Sequence, residues 1–395
     1  MEHTGLPAHY SPNYLEQLAA KSGRISFKCV VLSLLALSFR YMDLFRINNN
    51  MTDPKDFMRS AGLWGGKQEA VKEDILGDFP HYIIIGAQKS GTSSLYDYLI
   101  DHPMVVPAHR KEVHFFDWVV GYEKQSKKSF IEKHLREPTE AELADILLRE
   151  YEAWFQIDRL KCSGCQGKIT GEATPVYMFK FWQAIPYMRS ILKHQPKLIV
   201  ILRDPVARAY SHFEMAWYAP TNTVNSDNIN DAFARAVRIE LSRITRLGIE
   251  PGSSPEQYAS LYKKYSSLSN PFVKNFVGRG LYIFQLEAWS QHFDDIYVLE
   301  TEDFIQSGVH KTMQGVHDFL GLQNSAVRHP KVDKKGHYIE PLRSDTKALL
   351  CEFYAPYNKK LEEFLGHPLQ FHACNNETHS SLLPEHNINK TNMMI

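Results

Sequence analysis

From residue 79 onward the chain sets short apolar runs against longer stretches in which apolar and polar residues mix. His81-Tyr82-Ile83-Ile84-Ile85 is apolar and rich in β-branched residues and stops at Gly86, which marks a buried strand. Lys197 to Leu202 (KLIVIL) is a second such run, and Ile296 to Leu299 a third. The mixed stretches predict helices. One covers Thr92 to Ile100 and is closed by Asp101-His102-Pro103. Another opens at Pro138-Thr139-Glu140, with Thr139 as N-cap, and runs to about Gln156. Val206 to Trp217 and Leu281 to Phe293 follow, and a last helix leads from Ser344 toward Leu365 with Pro356 as a kink. Strands separated by helices imply an α/β fold, a parallel sheet covered by helices on both faces. Ligands of such sheets bind at the carboxyl ends of the strands.

Ahead of this body lies the most apolar stretch, Ile25 to Phe39 (ISFKCVVLSLLALSF), broken only by Lys28. As a helix it spans about 22 Å at ~1.5 Å per residue, against a bilayer core of about 30 Å. Lys28 and Arg40 can reach the interface, and early secretory membranes are thinner. Lys21, Arg24 and Lys28 on the leading side favour a cytosolic N-terminus. The expected organisation is a cytosolic tail (1–24), a transmembrane signal-anchor (25–40), a stem (41–78), the folded body (79–374) and a disordered tail (375–395) rich in Asn, His and Ser. A cleaved signal peptide and a buried helix compete for residues 25–40. Asn50, Asn376 and Asn389 open N-x-[ST] sequons outside the body, which fits a luminal, glycosylated protein.

Charge narrows the partners. The 395 residues carry 45 Lys+Arg against 45 Asp+Glu, so the net charge is zero and no basic field argues for nucleic acid. An anionic partner has to be met by a local patch. Four of the five cysteines lie in the body: Cys162, Cys165, Cys351 and Cys374. Cys351 and Cys374 are expected to pair across the last helix and its exit in an oxidising compartment. Cys162 with Cys165 is a weaker second pair, or half of a zinc site whose other half is missing.

The first strand runs into Gly86-Ala87-Gln88-Lys89-Ser90-Gly91-Thr92-Ser93-Ser94, with a helix directly after. Small residues let backbone N–H groups approach an anion, and the helix N-terminus adds donors and a favourable dipole. Lys89 supplies a full charge, and Thr92 and Ser93 supply hydroxyls. The lysine comes two residues before Gly91, whereas a nucleoside triphosphatase loop needs it directly after the glycine. The KLIVIL strand ends in Arg203-Asp204-Pro205, and the next helix carries Ser211. Arginine and a hydroxyl together can hold a terminal phosphate. Two anion sites at neighbouring strand ends suit a ligand with two separated phosphates. The bland alternatives are a Gly-Ser turn and a surface ion pair.

At this point the chain resembles a known family. IIIGAQKSGTSSLYDYLIDHP is similar to the 5′-phosphosulfate loop of sulfotransferases that use 3′-phosphoadenosine 5′-phosphosulfate (PAPS), and LIVILRDPVARAYSHF to their 3′-phosphate motif. The resemblance implies that Lys89, Ser90, Gly91, Thr92 and Ser93 hold the 5′-phosphosulfate and that Arg203 and Ser211 hold the 3′-phosphate. Lys111-Glu112-Val113-His114-Phe115-Phe116-Asp117 resembles the segment with the catalytic glutamate in heparan sulfate sulfotransferases. Ile169-Thr170-Gly171-Glu172-Ala173 and Arg279-Gly280-Leu281-Tyr282 look more like the N-acetylgalactosamine 4-sulfate 6-O-sulfotransferase group. Lys335-Gly336-His337 stands where the heparan enzymes close a Lys-Gly-Arg loop over the nucleotide, with histidine in place of the arginine.

The resemblance implies a catalytic set of Glu112 as base, His114 as the alternative base and Lys89 as stabiliser of the leaving phosphate, with no metal. It also implies a single-pass Golgi enzyme with a luminal body acting on a glycosaminoglycan such as chondroitin or dermatan sulfate. A heparan sulfate O-sulfotransferase and a sulfotransferase of small alcohols are the alternatives. His109, Arg110 and Lys111, followed by Lys124, Lys127 and Lys128, fit an anionic glycan acceptor or, equally, a solvated charged face.

Overall fold

A computed structural model of the chain describes residues 79–217, 228–265, 275–327 and 340–374. The expected anchor, stem and tail, the three sequons and Lys335-Gly336-His337 lie outside these residues. Among the described residues no helix is long and apolar enough to cross a membrane.

Five parallel strands form the sheet in the order β2-β3-β1-β4-β5. β1 (Tyr82–Gly86) is central, between β3 (Ile169–Ala173) and β4 (Lys197–Leu202). β2 (Val105–Pro107) and β5 (Ile296–Glu300) are the edges. Ile84 pairs with Ala173 on one side and with Ile199 on the other. The side chains of Ile83, Ile84, Ile85, Leu198, Ile199 and Val200 are all fully buried, as continuous apolar runs in a sheet covered on both faces should be.

Helix α1 (Thr92–Ile100) follows β1 with the bounds read from the sequence. α2 (Phe115–His134) has no counterpart in that reading, which left residues 104–137 without an element. Its first turn is aromatic: Phe115 and Phe116 are fully buried, with ring centroids 5.1 and 4.8 Å from Tyr151. α3 (Glu140–Glu152) opens on Thr139, whose side chain accepts from Glu142 N while the Glu142 carboxylate accepts from Thr139 N. It ends short of Gln156 because Phe155 turns away to form a bridge with Ala108. α4 (Val176–Phe179) and α5 (Phe181–Ile191) lead from β3 to β4. α6 (Pro205–Trp217) leaves β4, with proline in its first turn. α7 (Ile229–Arg246) and α8 (Pro255–Tyr265) precede α9 (Tyr282–Ser290), which is shorter at both ends than the predicted Leu281 to Phe293. α10 (Thr301–Gln306) and α11 (Gly308–Leu320) follow β5, and α12 (Ser344–Leu365) runs unbroken through Pro356.

Cys351 on α12 is joined to Cys374, with Cα atoms 5.4 Å apart, and Cys162 is joined to Cys165. Both expected pairs are thus brought together.

Candidate active site

The carboxyl ends of β3, β1 and β4 lie side by side, and each carries one of the segments singled out in the sequence. β1 hands over to α1 through a loop that stays tied to β4 by Ala87 N donating to Ile201 O at 2.8 Å. Lys89 (φ 71°) and Gly91 (φ 92°) both take left-handed backbone conformations. Gly91 sits at the N-cap of α1, and no side chain caps that helix. Its first-turn N–H groups and dipole therefore point toward the loop mouth beside Lys89, an arrangement suited to an anion. A left-handed lysine costs about 1–2 kcal/mol, a strain that collects at functional loops.

The second motif meets the first directly, since Arg203 Nη1 donates to Lys89 O at 3.1 Å. Asp204 Oδ1 accepts from Val206 N and Ala207 N and so starts α6, while its Oδ2 accepts from Ala373 N at 2.7 Å. Ser211 lies two turns into α6, almost fully buried. One turn further, Glu214 is buried; burial raises its pKa to about 7 despite the positive charges of Lys89 and Arg203.

The third segment crosses the end of β3. Glu112 N donates to Ala173 O and His114 N to Thr174 Oγ1, each at 3.2 Å. Both residues have φ of 60°, so two of the candidate catalytic residues sit in strained backbone. His114 Nε2 lies 3.2 Å from Glu112 Oε2, and its Nδ1 lies 3.1 Å from Asp117 Oδ1. Each ring nitrogen faces a carboxylate, which selects the imidazolium. Burial works against that charge, but hydrogen bonds to Asp117 and Glu112 outweigh it and carry the His114 pKa up to about 9. Burial likewise opposes ionisation of Glu112, yet His114 and Lys111 (Nζ 3.0 Å from Oε1) hold its pKa down to about 2. The ring of Trp118 stacks on His114 at 4.6 Å.

Under this segment lies Glu172, fully buried in β3. Its carboxylate accepts from Thr174 Oγ1 at 2.5 Å and from the Tyr151 and Tyr177 hydroxyls at 3.1 Å each. Burial raises its pKa to about 7, restrained by these three donors. Thr174 and Tyr177 in turn receive His114 N and Phe116 N.

Lys89, Ser90, Gly91, Thr92, Ser93, Arg203 and Ser211 are thus gathered at the ends of β1 and β4, with Glu112 and His114 at the end of β3 next door. Asp117 and Glu172 also belong to the constellation. Asp117 could have been found from its spacing of three from His114 across a helix start, and Glu172 from a lone carboxylate in an otherwise uncharged run. The basic residues divide. Lys127 pairs with Glu123 at 2.6 Å and Lys128 with Glu132 at 4.0 Å along α2, the solvated-face reading. Arg110 stays at the site, its Nε donating to Glu112 O at 3.0 Å.

Residues 80–250 match the sulfotransferase family. Human carbohydrate sulfotransferase 15 is 27% identical over 79% of this chain and 58% of its own length. The membrane-associated sulfotransferase kil1 of Dictyostelium discoideum is 24% identical over 73% of this chain and 65% of its own. Mouse heparan sulfate glucosamine 3-O-sulfotransferase 3A1 is 24% identical over 73% of this chain and 63% of its own. The chain therefore spans less than two thirds of the length of these relatives. Among solved structures, a sulfotransferase from Alicyclobacillus acidocaldarius aligns at 22% identity over 73% of this chain and 97% of that one, with a TM-score of 0.48.

Proposed function

We propose that this chain, whose residues 80–250 match the sulfotransferase family, transfers the sulfuryl group of PAPS to a hydroxyl of a carbohydrate. The observation that carries the reading is the contact between Arg203 and the Lys89 carbonyl, which brings two anion-binding motifs together at adjoining strand ends beside Glu112. The donor set fits a nucleotide with two phosphates. Lys89, the uncapped start of α1 and the hydroxyls of Ser90, Thr92 and Ser93 would hold the 5′-phosphosulfate. Arg203 and Ser211 would hold the 3′-phosphate, and Lys335, Gly336 and His337 would add to nucleotide binding. PAPS, when bound, supplies an activated sulfuryl group on a phosphate leaving group.

In this reading the acceptor hydroxyl attacks sulfur in line. The bond from sulfur to the phosphate oxygen breaks, a bond from sulfur to the acceptor oxygen forms, and the hydroxyl proton passes to the Glu112 carboxylate. Lys89 and the loop amides stabilise the charge left on the departing phosphate. His114, held as a cation by Asp117, orients Glu112 and lowers its basicity.

The names of the relatives support a glycan acceptor, and Arg110 and Lys111 beside Glu112 support an anionic one. A Golgi membrane enzyme with a luminal body, acting on chondroitin or dermatan sulfate at the 6-O position of N-acetylgalactosamine 4-sulfate, is the finer form of the proposal. The test is transfer of radiolabelled sulfate from PAPS to chondroitin, dermatan and heparan chains and to small alcohols, with disaccharide analysis of the products. Labelled disaccharides from the first two support that form. Label on heparan alone moves the acceptor to the alternative class, and label on small alcohols alone overturns the glycan reading.

A further inference from the structure

The turn Gly278–Gly280 and the start of α9 touch both anion-binding loops at once. Arg279 Nη1 donates to the side-chain oxygen of Gln88 in the β1–α1 loop. Three residues later, the Tyr282 hydroxyl donates to the carbonyl of Arg203 at 2.9 Å, at the end of β4. Each holds a residue of the loops. Arg208, fully buried on α6, adds a contact to the Gln88 carbonyl at 3.4 Å.

The turn is itself fixed from four helices. The Glu240 carboxylate on α7 accepts from Val277 N and Gly278 N at 2.9 and 2.8 Å. Tyr354 on α12 donates to Val277 O at 2.7 Å, and Tyr258 on α8 donates to Gly278 O at 2.8 Å. Gln285 on α9 donates to Arg279 O at 3.1 Å. A Cβ on Gly278 would fall 1.2 Å from the Tyr262 hydroxyl, so the approach to α8 excludes any side chain there. The Arg279 guanidinium lies 4.5 Å from the Phe179 ring centre. Burial and the neighbouring Arg208 pull its pKa down to about 10, which leaves it charged at neutral pH.

We propose that Arg279 and Tyr282 are positioning residues that fix the separation of the two anion-binding loops, so that a nucleotide phosphorylated at both 3′ and 5′ positions is bound in preference to one carrying either phosphate alone. The proposal rests on the reading that these loops take those two phosphates. Each loop makes its own anion site from its own residues: Lys89 and the start of α1 in one, Arg203 and Ser211 in the other. What a rigid brace adds is the spacing. When two linked groups bind two sites, the second event gains from a high effective concentration, and that gain falls as the distance between the sites fluctuates.

Calorimetric titration of the full chain with adenosine 3′,5′-bisphosphate, adenosine 5′-monophosphate and adenosine 3′-monophosphate tests this. Two variants leave the anion-binding groups in place: Tyr282→Phe removes one hydroxyl, and Gln88→Leu removes the acceptor of Arg279. The expected result is a loss of about fivefold or more in bisphosphate affinity in each variant, with both monophosphates bound as in wild type to within about twofold. A preference for the bisphosphate equal to that of wild type in both variants would overturn the proposal. So would a parallel loss for all three ligands accompanied by a lower Tm, which is the signature of a merely structural role. If the wild-type chain itself shows no preference for the bisphosphate, the two-phosphate reading falls first, and the brace with it.

Discussion

Glu112 Oε2 lies 3.2 Å from His114 Nε2, and each of these two residues is held at φ 60° by a hydrogen bond from its own backbone N–H to the end of β3. The pair is therefore built into the sheet edge rather than left on a flexible loop. That placement makes the catalytic assignment testable without disturbing the nucleotide.

Glu112→Gln keeps size and hydrogen-bonding capacity and removes the basic carboxylate. Turnover should fall by about 10²–10⁴, the usual loss for a general base. Affinity for adenosine 3′,5′-bisphosphate should be unchanged, because the assigned phosphate ligands are on other strands. His114→Ala is the control for the alternative base. Retention of more than about a tenth of wild-type kcat in Glu112→Gln, beside an inactive His114→Ala, would exchange the two roles.

Arg203→Ala addresses the 3′-phosphate. Loss of a charge-assisted hydrogen bond costs about 1.5–3 kcal/mol, so bisphosphate affinity should drop at least about tenfold. Adenosine 5′-monophosphate, which lacks the 3′-phosphate, should lose less affinity, and only through the lost Arg203 contact to the Lys89 carbonyl. Equal loss for both ligands would remove Arg203 from the 3′ site.

Reduction of the Cys351–Cys374 disulfide should destabilise the body by about 3 kcal/mol, by the loop-closure estimate for a sequence separation of 23. The segment it tethers lies over the β4 and β5 ends: Ala373 N donates to Asp204 Oδ2 and Gln370 N to Glu300 Oε2. Peptide mapping under non-reducing conditions checks the pairing, and a denaturant midpoint with and without reductant checks the magnitude. Free thiols at both positions in secreted protein would contradict it.

Most of the sheet could be read from the chain because β1, β4 and β5 are apolar runs bounded by turn residues. β3 could not, since Ile169-Thr170-Gly171-Glu172-Ala173 places a carboxylate and a glycine where a buried strand ordinarily has branched apolar residues. Tertiary hydroxyls satisfy Glu172, and no local pattern announces them. α2 was hidden for a related reason. Its aromatic start resembles a strand, and its later turns are charged residues paired along the helix. The two anion loops were legible because their chemistry is local. The Arg279 and Tyr282 contacts were not, because they span 191 and 79 residues of sequence.

The same buried network predicts how stability depends on pH. The pKa of His114 is raised from 6.5 to about 9, so the native state holds its proton more tightly than the unfolded chain. Its contribution is fully present below pH 6.5 and is lost as pH rises through about 9. Glu172, raised by burial from 4.5 to about 7, acts in the same direction one step earlier: its contribution is full below pH 4.5 and is lost as pH rises through about 7. Glu214 and Glu300, also raised by burial to about 7, add to that step. Glu112 has the opposite sign. Lowered to about 2, it stabilises fully above pH 4.5 and loses that contribution only as pH falls through about 2. Between pH 5 and 9 every one of these groups except Glu112 therefore erodes stability, and Glu112 is constant. Tm should decline across that range in two limbs: a lower one below pH 7, partly offset by His317, whose pKa burial and His102 lower to about 4, and an upper one above pH 7 from His114. His114→Asn separates them, because asparagine tolerates the left-handed backbone and does not titrate. The variant should be less stable than wild type at pH 6, keep the lower limb and lose the upper one, which differential scanning fluorimetry in matched buffers resolves. A variant that retains the full decline between pH 7 and 9 would show that His114 is not bound as a cation between Glu112 and Asp117.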